Sequence, residues 1–204
     1  FPEPPELVKA MAAANKGNST EVLTLTAEPI VKLSELKDVP GSWWPELAKL
    51  RLQALAASGK DADAENLARQ LGTLNTPSMD SLCRAGALFG SLPAGNTEAV
   101  VIGAKALPRV GGDQGSALAQ LALGRALLQK KDPTGAIRAF LTIKVFYPSS
   151  ALLQPAALMG AAEAYLALKD EKRAIQSYQD VATKWPDSPQ TPEAKKKAEG
   201  LAKP

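Results

Sequence analysis

Ala136, Phe140 and Pro148 recur as Ala174, Tyr178 and Pro186, each 38 residues downstream of its counterpart. A fixed period of a few tens of residues constrains a chain more than any single motif. Each unit is too small to bury its own apolar face, so it must stack on the next copy. Phe140 and Tyr178 follow their alanines by one helical turn and so lie on the same face. The alanine lets the two helices of a hairpin approach, the aromatic fills the space towards the next unit, and the proline stops the second helix. Ala64 and Ala99 hold the alanine place upstream, at intervals of 35 and then 37 residues before Ala136. Stacked helix pairs of this kind bind other chains more often than they perform chemistry.

Composition agrees with close helix packing. Hydrophobic residues make up 45% of the 204, much of it alanine, and aromatics only 5%. A β-sandwich would need more β-branched and aromatic residues. The 24 basic and 21 acidic residues leave a net charge of +3, so nucleic acid is not an expected partner. The chain has no histidine, which removes histidine triads, histidine acids and nearly all zinc sites. Its single cysteine, Cys83, excludes an intramolecular disulfide. No apolar run approaches the roughly 18 residues of a membrane span. No cofactor, metal or catalytic residue is expected. The chain starts at Phe1, as a mature product or an excised fragment would.

Proline and glycine divide the chain into paired helical segments. Helices are predicted over residues 4–16 and 19–37, the second bent at Pro29. The stretch 21–26 alternates like a strand but falls where the period requires a helix. The next pairs are 44–58 with 62–74, where Asp61 is the expected N-cap, and 78–91 with 97–107, where Asn96 is. Residues 111–116, GGDQGS, read as a flexible joint. The last pairs are 117–130 with 133–146 and 152–168 with 171–184, capped by Asp132 and Asp170. Pro133 takes the first helical position, where its missing N–H costs nothing. Residues 192–202 read as a polar terminal helix.

These residues resemble the tetratricopeptide repeat (TPR) family. Its pattern sets Leu-Gly and an aromatic in the first helix, then alanine, an aromatic and proline. Leu123-Gly124 matches, Leu127 takes the aromatic's place, and Ala136, Phe140 and Pro148 follow. In the next unit Ala161-Ala162 replaces Leu-Gly, and Tyr165, Ala174, Tyr178 and Pro186 match. The likeness is specific over 117–189 and weaker over 44–77, where Ala68 replaces the aromatic. It is weaker still before that and over 79–111. The resemblance implies an all-α, right-handed α-solenoid of about five helix hairpins. Its repeats would be degenerate over 1–111 and clear over 117–189, with a capping helix over 191–204. The long period and the strings FYPSS (146–150) and KWPDSPQ (184–190) are similar to TPR proteins of the bacterial cell envelope. That likeness implies export to the periplasm or envelope, with a cytoplasmic location as the alternative.

Several short strings admit a chemical reading and a plainer one. Ser34-Glu35-Leu36-Lys37 fits the S-x-x-K of penicillin-recognising enzymes, but the S-D-N and K-T-G strings those enzymes need do not occur. Gly59-Lys60 lacks the upstream glycine and following Ser/Thr of a P-loop and reads as a turn. The carboxylates of Asp61, Asp63 and Glu65 open a helix better than a calcium loop, whose glycine is replaced by Asn66. Asn18 reads as a cap. Cys83 reads as a small buried hydrophobe. Trp43 and Trp44 are either a hydrophobic staple or an exposed anchor for a partner. Lys195, Lys196 and Lys197 solvate the last helix.

In a TPR array the first helices of successive pairs line a concave groove. Projection of the face away from the alanines places Lys49, Gln53, Arg84, Phe89, Arg125, Gln129 and Glu163 there. Three cations suggest a partner segment with acidic residues or a free carboxyl terminus. The plainer reading is a solvated face without a ligand. The expected function is a non-enzymatic protein-binding scaffold of the cell envelope. The alternative is a helical interaction arm of a larger enzyme or assembly machine, which the proline-rich start FPEPPEL favours.

Overall fold

A computed structural model describes residues 5–34, 43–74, 77–107 and 113–202. The proline-rich start at 1–4, Lys37 of the S-x-x-K string and Gly111-Gly112 lie outside them. Twelve α-helices and no strand occur among the described residues. They are α1 (Pro5–Asn15), α2 (Ser19–Leu25), α3 (Ala27–Ser34), α4 (Trp44–Ala57), α5 (Asp61–Thr73) and α6 (Asp80–Ala87). The second half comprises α7 (Thr97–Ala106), α8 (Gln114–Gln129), α9 (Pro133–Phe146), α10 (Leu153–Ala167), α11 (Glu171–Lys184) and α12 (Thr191–Leu201). Consecutive helices pack on one another as in an all-α solenoid of TPR type.

The hairpin turns share one backbone device. Gly17, Gly59, Gly95, Lys131 and Lys169 all have φ between +60° and +70°. Each turn closes with the same two bonds, a Schellman pattern that satisfies the last carbonyls of the first helix. Asp132 N–H donates to Leu127 O at 2.8 Å and Lys131 N–H to Leu128 O at 3.0 Å. Asp170 and Lys169 repeat these bonds to Tyr165 and Leu166, both at 2.9 Å. Lys60 and Gly59, Asn96 and Gly95, and Asn18 and Gly17 do the same. Glycine accepts this left-handed conformation freely, and the two lysines occupy it under strain. The turn therefore marks the repeat even where the aromatics have vanished.

Capping follows the expectation at three sites. Asp132 accepts from Gly135 N at 2.8 Å, Asp170 from Arg173 N at 3.1 Å, and Asn18 from Glu21 N at 3.1 Å. Asp61 is not the N-cap: Lys60 holds that place and Asp61 is the first residue of α5. Its carboxylate is drawn away to Arg125. Asn96 sits at the cap of α7 without a side-chain bond. The stretch 21–26 is helical up to Leu25.

The bend expected at Pro29 lies earlier, at Thr26. There the Thr26 hydroxyl donates to Val22 O at 2.7 Å, and Arg51 takes Leu23 O at 2.9 Å. Pro29 then falls in the first turn of α3, where no N–H is needed. The single helix expected over 78–91 is α6 flanked by 3-10 turns at Pro77–Met79 and Leu88–Ser91. The expected joint is shorter than predicted, because Asp113 caps α8 through Ser116 N at 2.7 Å and Gln114 to Ser116 are helical.

Three helices form the centre. Leu52 to Ala57 of α4 and Gly115 to Gly124 of α8 are buried without interruption, and α10 is buried on most of its surface. A helix apolar all round must be enclosed. Here α4 packs on α2, α5 and α10 and touches α8, while α10 packs on α8, α9 and α11. Small side chains make this approach feasible. Phe140 is fully buried between Gly124 and Gly160, at each of which an added Cβ would overlap its ring. One period later Ala162 and Tyr178 occupy a common core cluster.

Candidate functional site

The inner face of the array is largely filled by its own chain. Helix α4 lies against α10 and α8, and Arg125 of α8 ties the last turn of α4 and the start of α5 to it. Its Nη1 donates to Asp61 Oδ1 at 2.8 Å and its Nη2 to Ala56 O at 2.7 Å. Ala56 belongs to the carbonyl end of α4, where the helix dipole favours a cation. The guanidinium also stands 5.6 Å from the centroid of the Phe89 ring. Burial lowers the Arg125 pKa, and Asp61 counteracts that. Burial likewise raises the Asp61 carboxyl, and Arg125 draws it back.

The residues projected onto an open groove separate accordingly. Gln53 and Phe89 are buried, so neither presents a surface to a partner. Gln53 donates to Gln114 on α8. Lys49 pairs with Glu46 at 2.7 Å and exposed Arg84 with Asp80 at 3.5 Å, each within its own helix. Gln129 reaches Leu92 O at 3.4 Å. Arg125 and Glu163 share a cavity of about 200 Å³ that Gln190 and Glu193 also line. Trp44 is a core residue and cannot anchor a partner, whereas Trp43 is half-buried against the same core. Both fit the staple reading of the pair.

A second cavity, of about 590 Å³, adjoins the first through the shared Gln190 and Glu193. Thr20 and Thr24 of α2, Arg51 of α4, Lys60 and Asp63 line it. Together the two form a groove between the α4–α5 turn and the residues around α12. Charged residues of both signs line it, and Lys197 stands beside its carboxylates. Lys197 lies 3.3 Å from Glu163 and 2.8 Å from Glu193. Burial opposes its charge, but those carboxylates hold the Lys197 pKa up. Arg51 donates to Leu23 O and the Thr26 hydroxyl, burial lowers its pKa while the Asp63 charge counteracts that, and Lys60 is exposed at the turn. Arg51 and Lys60 thus stand at the α2–α4 end of the groove with Asp63 beside them.

Contacts between the two ends of the chain close the groove, and sequence reasoning missed them. Gln190 Nε2 donates to Ala57 O at 2.8 Å, and Lys16 Nζ lies 3.6 Å from Asp187. Gly17 is buried against Trp185 and Pro155, and its positive φ of 69° together with these close neighbours disfavours a side chain there. The string KWPDSPQ supplies three of these partners, Trp185, Asp187 and Gln190. Its tryptophan and polar residues were visible in the sequence, but nothing there pointed to residues more than a hundred positions away.

Cys83 fits its plain reading. Cys83 is half-buried, and burial followed by the Asp80 charge raises its thiol pKa, the opposite of activation. Among the described residues no helix is long and apolar enough to cross a membrane, and no cluster of three or more potential ligands could hold a metal.

Residues 156–188 match the family model of the tetratricopeptide repeat. The matched stretch is the α10–α11 hairpin, which carries Tyr165, Ala174, Tyr178 and Pro186. Repeats of this type are typically interaction modules without catalysis of their own, so protein partners are indicated. No curated protein and no solved structure gave a match to the chain.

Proposed function

We propose that the protein is a non-enzymatic scaffold that holds an extended segment of a partner protein in the groove between the α4–α5 turn and α12. The two adjoining cavities that share Gln190 and Glu193 carry this reading. A family module built for protein contact frames them, and their α2–α4 end offers exposed Lys60, with Arg51 and Asp63 beside it. That end suits an acidic residue or a free carboxyl terminus, through charge-assisted hydrogen bonds. A bacterial cell envelope is the proposed place of action, on the likeness of FYPSS and KWPDSPQ to envelope repeats.

Selection from a displayed library of peptides with free carboxyl termini tests the groove. Peptides enriched on the wild type should carry acidic residues near the terminus and bind Lys60→Glu about tenfold more weakly, the loss of one charge-assisted contact. Equal binding to both proteins would remove the groove assignment. Arg125→Glu does not serve, because it would break the internal pair with Asp61.

A further inference from the structure

A second groove lies on the opposite face of α8, outside the site described above. Helices α7 and α9 both pack on α8 but not appreciably on one another. The gap between them is a cavity of about 600 Å³. Leu123 and Leu127 of α8 and Leu141 of α9 contribute its apolar lining, and Val145 and Phe146 continue that wall. Val145 and Phe146 are 65% and 63% exposed, although α9 otherwise buries its apolar side chains well. On α7, Ile102 is exposed one turn before Lys105, which also lines the gap. Adjacent exposed apolar side chains around a concave floor mark a binding surface more often than they mark ordinary solvent contact.

Charge defines the occupant further. Lys105 and Arg138 flank the apolar lining, and neither has a carboxylate within salt-bridge distance among the described residues. Arg138 alone among the described arginines has neither an ion pair nor a side-chain hydrogen bond: Arg69, Arg84, Arg125 and Arg173 form ion pairs, and Arg51 hydrogen-bonds to Leu23 O of α2 and the Thr26 hydroxyl. The one carboxylate in the lining, Asp132, is committed to the Gly135 N–H.

We propose that this outer groove is a second docking surface, and that its occupant is an amphipathic helix of a partner protein with acidic residues beside its apolar stripe. A helix laid between α7 and α9 would rest on α8 as those helices do. Its stripe would cover Leu127, Leu141 and Phe146, and its acidic flank would face Lys105 and Arg138.

The test is selection from a displayed library of helical peptides in which the stripe and its flanking positions vary. Wild type should enrich peptides with apolar residues at helical spacing and acidic flanks. Phe146→Ser, at an exposed position, should weaken them about tenfold or more. Arg138→Glu should turn the flank preference from acidic to basic, while Lys60→Glu leaves these peptides unaffected. No enrichment, or enrichment indifferent to Phe146 and Arg138, would overturn the proposal. So would a wild-type dimer in sedimentation that Phe146→Ser dissociates, since a second copy would then be the occupant.

Discussion

Arg125 Nη1 lies 2.8 Å from Asp61 Oδ1, joining α8 to the first residue of α5 across the inner face. The pair is mostly enclosed, with 24% of the arginine side chain and 19% of the aspartate exposed. Removing one member leaves the other as an unmatched buried charge. Arg125→Ala should cost about 3–5 kcal/mol in urea unfolding. The double variant Arg125→Met/Asp61→Asn should lose clearly less than the sum of its single changes. Additive losses would show that the two side chains act independently.

Lys131 and Lys169 stand at φ +60°, where the three upstream turns have glycine. Lys169→Gly should therefore stabilise the protein by about 1 kcal/mol, through relief of a left-handed side chain less the flexibility glycine adds to the unfolded chain. Lys131→Gly should act alike, and the two gains should add. The measurement is the unfolding midpoint with unchanged denaturant dependence. Destabilisation by either change would contradict the shared turn geometry.

Gly124 and Gly160 face the Phe140 ring from both sides. Gly124→Ala should cost about 1–3 kcal/mol by overpacking. In a Phe140→Leu background, where the ring is gone, the same change should cost much less. An equal cost in both backgrounds would mean that the ring is not what excludes the methyl.

Much of this was legible in the sequence, and for a physical reason. The repeat spacing, the caps at Asp132 and Asp170 and the prolines report local geometry, which is set within a few residues. The placement of Ala136 and Phe140 on one buried face follows from helical periodicity alone. What failed was long-range. Phe89 and Arg125 project inward, but the sequence contains no signal that α4, which carries Gln53, would pack into the space they were to line. The run Leu52 to Ala57, apolar except for Gln53, was the available hint, because a helix with almost no polar face needs neighbours on every side. Asp61 looked like a cap because caps are decided locally, and its capture by Arg125 depends on packing 64 residues apart.

Asp180 of α11 accepts from Lys144 of α9 at 3.0 Å and lies 3.0 Å from Lys184. Burial works against its charge, but the two lysines outweigh it and hold its carboxyl below the ordinary range. A carboxylate with a lowered folded pKa stabilises above its unfolded pKa, and that stability disappears as pH falls through the folded value. Asp180→Asn should therefore lower the melting temperature near neutrality and flatten its decline at acid pH. A variant that keeps the wild-type acid decline would show that Asp180 contributes nothing to it.

The groove exists only if the two ends of the chain meet, so the distance between them is the decisive quantity. Lys16 and Asp187 lie within 3.6 Å and are both surface-exposed, which makes them suitable for spin labels in a Cys83→Ser background. Pulsed electron resonance should give one short, narrow distance distribution at neutral pH, broadened only on unfolding. A long or broad distribution in the folded protein would contradict the closed inner face and the binding groove built on it.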